Sequence, residues 1–251
     1  MSKLLRANFM RLKKCSSFSV CIIIQVFLAA IDFFSAYFIS TEKETVFGRS
    51  YIVGSYIMIF LSVFITSFIC TDYSRQTIRN KLFVGHTRGA VYFSNFITTW
   101  LGSLVIVAAY WITVSIISVS LGVKAGMPLN DFCFLIITQI AAVTALVSLY
   151  VLLSELITSR SKAVTTALIL SLILSIMYPV MGDMHIEFNV QAAKVVSNGI
   201  SVFFTDIMPS GQLVQMEMGS DIQRIFPIYS LVVAVVSSAI GVIIFRRKDL
   251  K

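Results

Sequence analysis

The chain has 251 residues, 57% of them hydrophobic and only 13% charged, with a mean hydropathy of +0.89. Soluble domains run nearer about 45–50% apolar and about 25% charged, so this composition excludes an ordinary water-soluble globule. The formal charge of +8 does not point to nucleic acid, because its cations alternate by loop along the chain instead of gathering in one segment.

Residues 1–17 read as an amphipathic helix. Leu5, Phe9 and Leu12 recur at helical spacing, while Arg6, Lys13 and Lys14 can reach anionic headgroups, so the segment is expected to lie in the membrane surface. The competing reading is a solvated basic tail. An apolar run over 18–39 follows. A cleaved leader is disfavoured, since the run outlasts a signal peptide and no small-residue cleavage site comes after it. An ionised group in lipid costs about 2.5–3.5 kcal/mol at mid-membrane. Asp32, near the outer third of this run, is therefore either a polar contact in a substrate path or an acid facing another helix or a thinned interface. Gln25 is a more ordinary buried amide.

A second run covers 51–71. After it comes Thr71-Asp72-Tyr73-Ser74-Arg75-Gln76-Thr77-Ile78-Arg79-Asn80-Lys81-Leu82-Phe83-Val84-Gly85-His86-Thr87-Arg88, a short basic stretch caught between two apolar runs. Ile78 and Leu82 share one helical face and Arg75 and Arg79 another, which predicts a helix with an apolar and a cationic side. Thr71 or Asp72 can cap its start, and Gly85 can end it in a left-handed turn. The stretch is either a solvated loop or a rigid element docking into a cytoplasmic partner.

Further apolar runs cover 92–122, 132–157, 163–181 and 227–245, making six in all. Each reaches the roughly 20 residues that an α-helix needs to cross about 30 Å of hydrocarbon. They are too long and too uniformly apolar for the alternating strands of a barrel. Gln139 in the fourth is a candidate path residue like Gln25, and Glu155 marks that span's cytoplasmic end. The 182–226 segment carries five acids and two bases, yet its middle is apolar. Two short helices on or in the outer leaflet, interrupted at Asn198-Gly199 and Pro209-Ser210-Gly211, account for it. Fifteen Lys and Arg fall on the N-terminus, the 72–91 and 158–162 loops and the tail, against five on the other loops. That bias puts both termini in the cytoplasm and requires an even number of spans. The expectation is one all-α membrane domain of six spans.

The chemistry-bearing motifs are few. No G-x-x-x-x-G-K-[ST] occurs, so this chain does not bind nucleotide through a P-loop. His86 and His185 are expected on opposite sides of the membrane and the four cysteines have no paired spacing, so no metal site or disulfide is expected. Neither a zinc-protease motif nor a Ser–His–acid arrangement is present. The chain reads as a non-catalytic subunit.

The 71–91 stretch resembles the coupling loop of membrane subunits of type 2 ATP-binding cassette exporters. That loop typically has an acid, then Gly-Thr-Ile/Leu-Arg/Lys-Asn-Lys, then Gly and Arg. Here stand Asp72, Thr77-Ile78-Arg79-Asn80-Lys81, Gly85 and Arg88, with Gln76 where Gly is usual. The resemblance extends to Pro209-Ser210-Gly211-Gln212 and to the Phe245-Arg246-Arg247-Lys248-Asp249 ending. It implies an N-terminal elbow helix, a cytoplasmic coupling helix between spans two and three, and outer re-entrant helices before span six. It further implies cytoplasmic ATPase subunits that hold ATP and Mg²⁺, a second permease subunit, and ATPase contacts through Asp72, Arg75, Thr77, Ile78, Arg79, Asn80, Lys81, Leu82, Gly85 and Arg88. Substrates of such permeases include bacteriocins, lantibiotics and other antibiotics. A membrane sensor or assembly scaffold using the same loop is the alternative reading. A free-standing secondary transporter is weaker, because Asp32 stands nearly alone within the spans.

Overall fold

The computed structural model describes residues 1–39, 46, 50–123, 127–157, 159–183, 202–217 and 223–247, with side chains of 177–183 excepted. Among these the chain is all-helical, without a strand. Helix α1 (Ser2–Lys13) leads into α2 (Ser16–Ile39), and α3 (Ile57–Ser74) is followed by the short α4 (Thr77–Phe83). Then come α5 (Arg88–Ser120), α6 (Leu129–Leu156) and α7 (Arg160–Asp183). A π-helical turn (Phe203–Ile207), α8 (Pro209–Glu217) and α9 (Phe226–Arg247) complete the chain.

Among the described residues, five helices (α2, α3, α5, α6 and α9) are long and apolar enough to cross a membrane. The expected fifth span, 163–181, falls on α7, a helix of 24 residues. Burial orders the bundle: 67% of the apolar window of α3 is inside the protein, against 22% for α2 and 28% for α9, so α3 is central and the other two are peripheral. Between helices, hydroxyls supply much of the directional contact. Ser148 meets Ser237 at 2.6 Å (α6 to α9), Tyr150 meets Ser171 at 2.8 Å (α6 to α7), and the Trp100 indole donates to Thr144 at 2.9 Å (α5 to α6). In a lipid-facing bundle such bonds give specificity that apolar contact alone does not.

Three sequence expectations change. The second span does not begin at 51: residues 51–56 are turn and irregular backbone, and α3 starts at Ile57. Non-helical backbone at that depth needs outside partners. Gln139 supplies them, accepting from the Val53 amide at 3.1 Å and donating to the Tyr51 carbonyl at 3.0 Å. The third span begins earlier, at Arg88, and its 33 residues measure about 50 Å, well beyond the roughly 30 Å of hydrocarbon.

The third change concerns Pro209-Ser210-Gly211, which starts α8 instead of interrupting a helix. Proline suits a first helical position, where its missing N–H would have no partner anyway. Residues Pro209–Met216 are all buried, so α8 is packed within the protein and does not lie on its surface. A side chain at Gly211 would stand 2.1 Å from the Phe204 carbonyl, so only glycine permits this approach to the π-helical turn. Gln212 ties the element down, donating to the Asp206 carbonyl at 2.7 Å and accepting from Ser230 of α9 at 2.7 Å. The expected helix nearer residue 200, together with His185, Lys248 and Lys251, lies outside the described residues.

Candidate functional site

Asp72 stands in the last turn of α3 and is 1% exposed. Three donors converge on its carboxylate: the Arg11 guanidinium of α1, the Lys81 ammonium of α4 at 2.8 Å, and the Thr77 hydroxyl of α4 at 2.7 Å. Lys81 also donates to the Asn8 carbonyl oxygen at 3.0 Å. The Asn8 amide in turn donates to Ser94 at 2.9 Å and Asn95 at 3.0 Å, both near the start of α5. One buried polar network therefore joins α1, α3, α4 and α5. Arg11 is further fixed by a bond to the Phe68 carbonyl at 3.2 Å and by lying 3.9 Å over the Phe68 ring.

Two cations share one carboxylate here, and both lose solvation. Burial pushes the Lys81 ammonium down to about 8; the charge of Arg11 acts in the same direction, and Glu155 partly opposes it. Burial likewise lowers the Arg11 guanidinium to about 10, against an upward pull from Cys15 and with a further downward push from Arg75.

Both ends of α4 are specified by backbone geometry. Gln76 precedes it with φ of 53°, in the left-handed region that a residue with a Cβ enters at a cost of about 1–2 kcal/mol. At the far end Gly85 has φ of 93°. The Gly85 amide bonds to the Leu82 carbonyl at 2.9 Å and the His86 amide to the Lys81 carbonyl at 3.4 Å, the paired bonds of a Schellman cap. Thr87 then caps α5, its hydroxyl accepting from the Ala90 amide at 3.3 Å.

Of the expected contact residues, Ile78 is buried and Leu82 packs against the core, as their shared face predicts. Asn80 is exposed and Arg79 half-buried. Lys81 and Thr77 turn inward to Asp72 and are not part of the outer face. Neither Thr71 nor Asp72 caps α4, because α3 runs on through Ser74; the Thr71 hydroxyl instead bonds back to the Ser67 carbonyl at 2.6 Å. Arg75 follows α3 and stands outside α4. Arg88 opens α5 and donates to the Arg246 carbonyl in the last turn of α9 at 2.8 Å, where a cation complements the helix dipole.

The sequence reading passed over Phe83 and Val84, which are 87% and 78% exposed at the tip of this element. With Arg79, Leu82 and Arg88, Phe83 lines an open groove of about 530 Å³. The α1 stripe also shifts by one residue. Its inward face is Leu4, Asn8 and Leu12; Leu5 and Phe9 are half-buried, and Arg6, Lys13 and Lys14 are exposed.

At the opposite end of the bundle, Tyr56 donates to Asp32, and the Tyr110 hydroxyl lies 3.3 Å from the same carboxylate oxygen. Asp32 borders a cavity of about 120 Å³ with Ser35, Ala36, Ile52, Gly54 and Glu217. Glu217 accepts from the Ser55 amide at 2.8 Å, which ties α8 to the 51–56 turn. The three path candidates thus separate. Asp32 faces a cavity, Gln139 clamps the 51–53 backbone, and Gln25 is fully buried with neither amide atom hydrogen-bonded among the described residues.

No known protein family matches the chain, and neither does any curated protein. The functional reading therefore rests on the chain's own residues and geometry.

Proposed function

We propose that this chain is the membrane subunit of an ATP-driven exporter of the type 2 ATP-binding cassette class, lying in the plasma membrane with both termini in the cytoplasm. In this reading α7 is a sixth span, α1 is the elbow helix, α4 is the coupling helix, and the π-helical turn with α8 forms the outer re-entrant element. One observation carries the proposal: α4 is a seven-residue helix fastened through Asp72 to α3 and α1 and through Lys81 and Asn8 to α5, while its tip offers Phe83 and Val84 to the surroundings. A solvated loop needs neither the buried clamp nor an exposed aromatic tip.

The mechanism follows from the fastening. ATP binding in a separate subunit does work on this chain only if that subunit contacts it differently before and after closure. A displacement at Phe83 is passed through Lys81 and Thr77 to Asp72, and so to α3, α1 and α5 as one packed body. ATP and Mg²⁺ belong to the partner ATPase, and this chain supplies the lever and half of a pathway. A second permease subunit, identical or homologous, supplies the other half. The substrate class suggested by the resemblance is amphipathic: peptide antibiotics of the bacteriocin and lantibiotic kind, or other antibiotics. Asp32 in its outer cavity is the polar contact along that route.

The test is the double substitution Phe83→Asp with Val84→Asp in the chain assembled with its ATPase. Central aromatic anchors are worth about 2 kcal/mol or more, so ATPase binding should weaken at least about thirtyfold. Substrate-stimulated hydrolysis should disappear, while membrane insertion and melting of the isolated chain stay unchanged. Coupling that survives the change, or a purified complex without any ATPase, would sink the proposal.

A further inference from the structure

A cavity of about 290 Å³ opens where α1, α2, α3 and α7 meet. Four cations line it from separate places in the chain: Arg11 of α1, Lys14 just after it, Arg75 after α3, and Arg160 at the start of α7. No acid is among its lining residues. Arg11 is paired with Asp72, and Arg160 donates to the Ser67 hydroxyl at 2.7 Å. Lys14 and Arg75 form no ion pair among the described residues. The floor is built: Ser67 also lies 3.3 Å from the Ser17 hydroxyl, so α2, α3 and α7 are joined beneath the cations. Like charges gathered around one concavity repel unless an anion sits among them.

We propose that this cavity binds a phosphate group, and that the phosphate is the headgroup of an anionic phospholipid. Guanidinium forks and serine hydroxyls match phosphate oxygens, and Arg75 and Arg160 supply the forks. The lipid source follows from what lies above. From Ser16 and Ser17 at the cavity edge, Val20, Ile23 and Phe27 continue along α2 at helical spacing, all exposed and apolar. That stripe is where the acyl chains of a lipid seated in the cavity would lie. The inference uses only the membrane placement of this chain and is independent of any ATPase.

The experiment uses the full chain purified in neutral detergent, with lipid retention read by native mass spectrometry and melting. Phosphatidylglycerol, phosphatidylcholine and inorganic phosphate are the three probes. Each basic side chain facing an anionic headgroup is worth roughly fivefold, so Lys14→Gln with Arg75→Gln should weaken phosphatidylglycerol binding about thirtyfold. The control Arg6→Gln with Lys13→Gln removes the same charge from an exposed part of α1 away from the cavity. It should weaken binding by no more than about fivefold. Phosphatidylglycerol raising the melting point of the native chain, with phosphatidylcholine inert, supports the lipid. Inorganic phosphate binding alone, with phosphatidylglycerol inert, keeps the phosphate chemistry and overturns the lipid source. Equal losses in the two double variants, or no preference for phosphatidylglycerol, overturn the site.

Discussion

At the scale of single residues, Asp72 forms ion pairs with both Arg11 and Lys81 and joins three helical elements: α3, α1 and α4. It is the sole carboxylate on which Arg11 and Lys81 form ion pairs among the described residues, and it is itself sealed from water. Removing one partner from a buried charge cluster leaves the others uncompensated, at a cost of about 3–5 kcal/mol. Asp72→Ala should therefore lower the melting temperature of the purified chain sharply, whereas Arg6→Gln, at an exposed position of α1, should leave it nearly unchanged. Gln76 offers the opposite sign. Its positive φ suits glycine, so Gln76→Gly should stabilise the chain by about 1 kcal/mol, seen as a small rise in the same melt.

Lys81 adds a dependence on pH. Its folded value is about 8 and its ordinary value 10.5, so between these limits the unfolded chain holds more protons than the folded one. Stability from this residue then rises with pH across that window and is flat below it. Lys81→Met cannot titrate. Melts of the two chains from below pH 8 to above pH 10 should show the native protein gaining on the variant as pH rises; parallel curves would remove the buried-ammonium argument.

At the scale of elements, what was legible in the sequence was what a one-dimensional pattern controls. Long apolar runs located the five helices long and apolar enough to span and also α7, and the Ile78–Leu82 spacing with Gly85 located α4 and its end. What escaped depends on partners far away in sequence. Asn8 is a polar residue in the middle of an apolar stripe, and only Ser94, Asn95 and Lys81 explain it. Lys81 looked like a surface cation for the same reason, since nothing local announces that Asp72 is sealed beneath it. Residues 51–56 carry a hydropathy that suits a span, but Gln139 holds their backbone in an open turn. Gln139→Leu should therefore destabilise the chain by about 1–3 kcal/mol through loss of both hydrogen bonds to that backbone, with melting as the readout. Gln25→Leu, which removes an amide without hydrogen-bond partners among the described residues, should be neutral or stabilising.

At the scale of the whole molecule, the bundle has two polar ends with different construction. One end gathers Arg11, Asp72, Lys81 and the start of α5; the other gathers Asp32, Tyr56, Tyr110 and Glu217. Helix α5 runs between them, and from the Asn8 contacts at Ser94 and Asn95 to Tyr110 it is a rigid connection of about 24 Å. A cytoplasmic ATPase can act on the Asp72 end only if that end faces the cytoplasm, which makes orientation decisive for the proposed function. The positive-inside bias leads to the expectation that the Asp72 end is cytoplasmic. Native Cys133 is exposed and Cys15 half-buried, so both are first replaced by serine. Val84→Cys and Leu129→Cys are then made singly at positions 78% and 75% exposed. A membrane-impermeant maleimide should modify Leu129→Cys in intact cells and reach Val84→Cys only after permeabilisation. The reverse pattern would place the α4 tip outside the cell, beyond the reach of any ATPase, and the lever would have nothing to pull it.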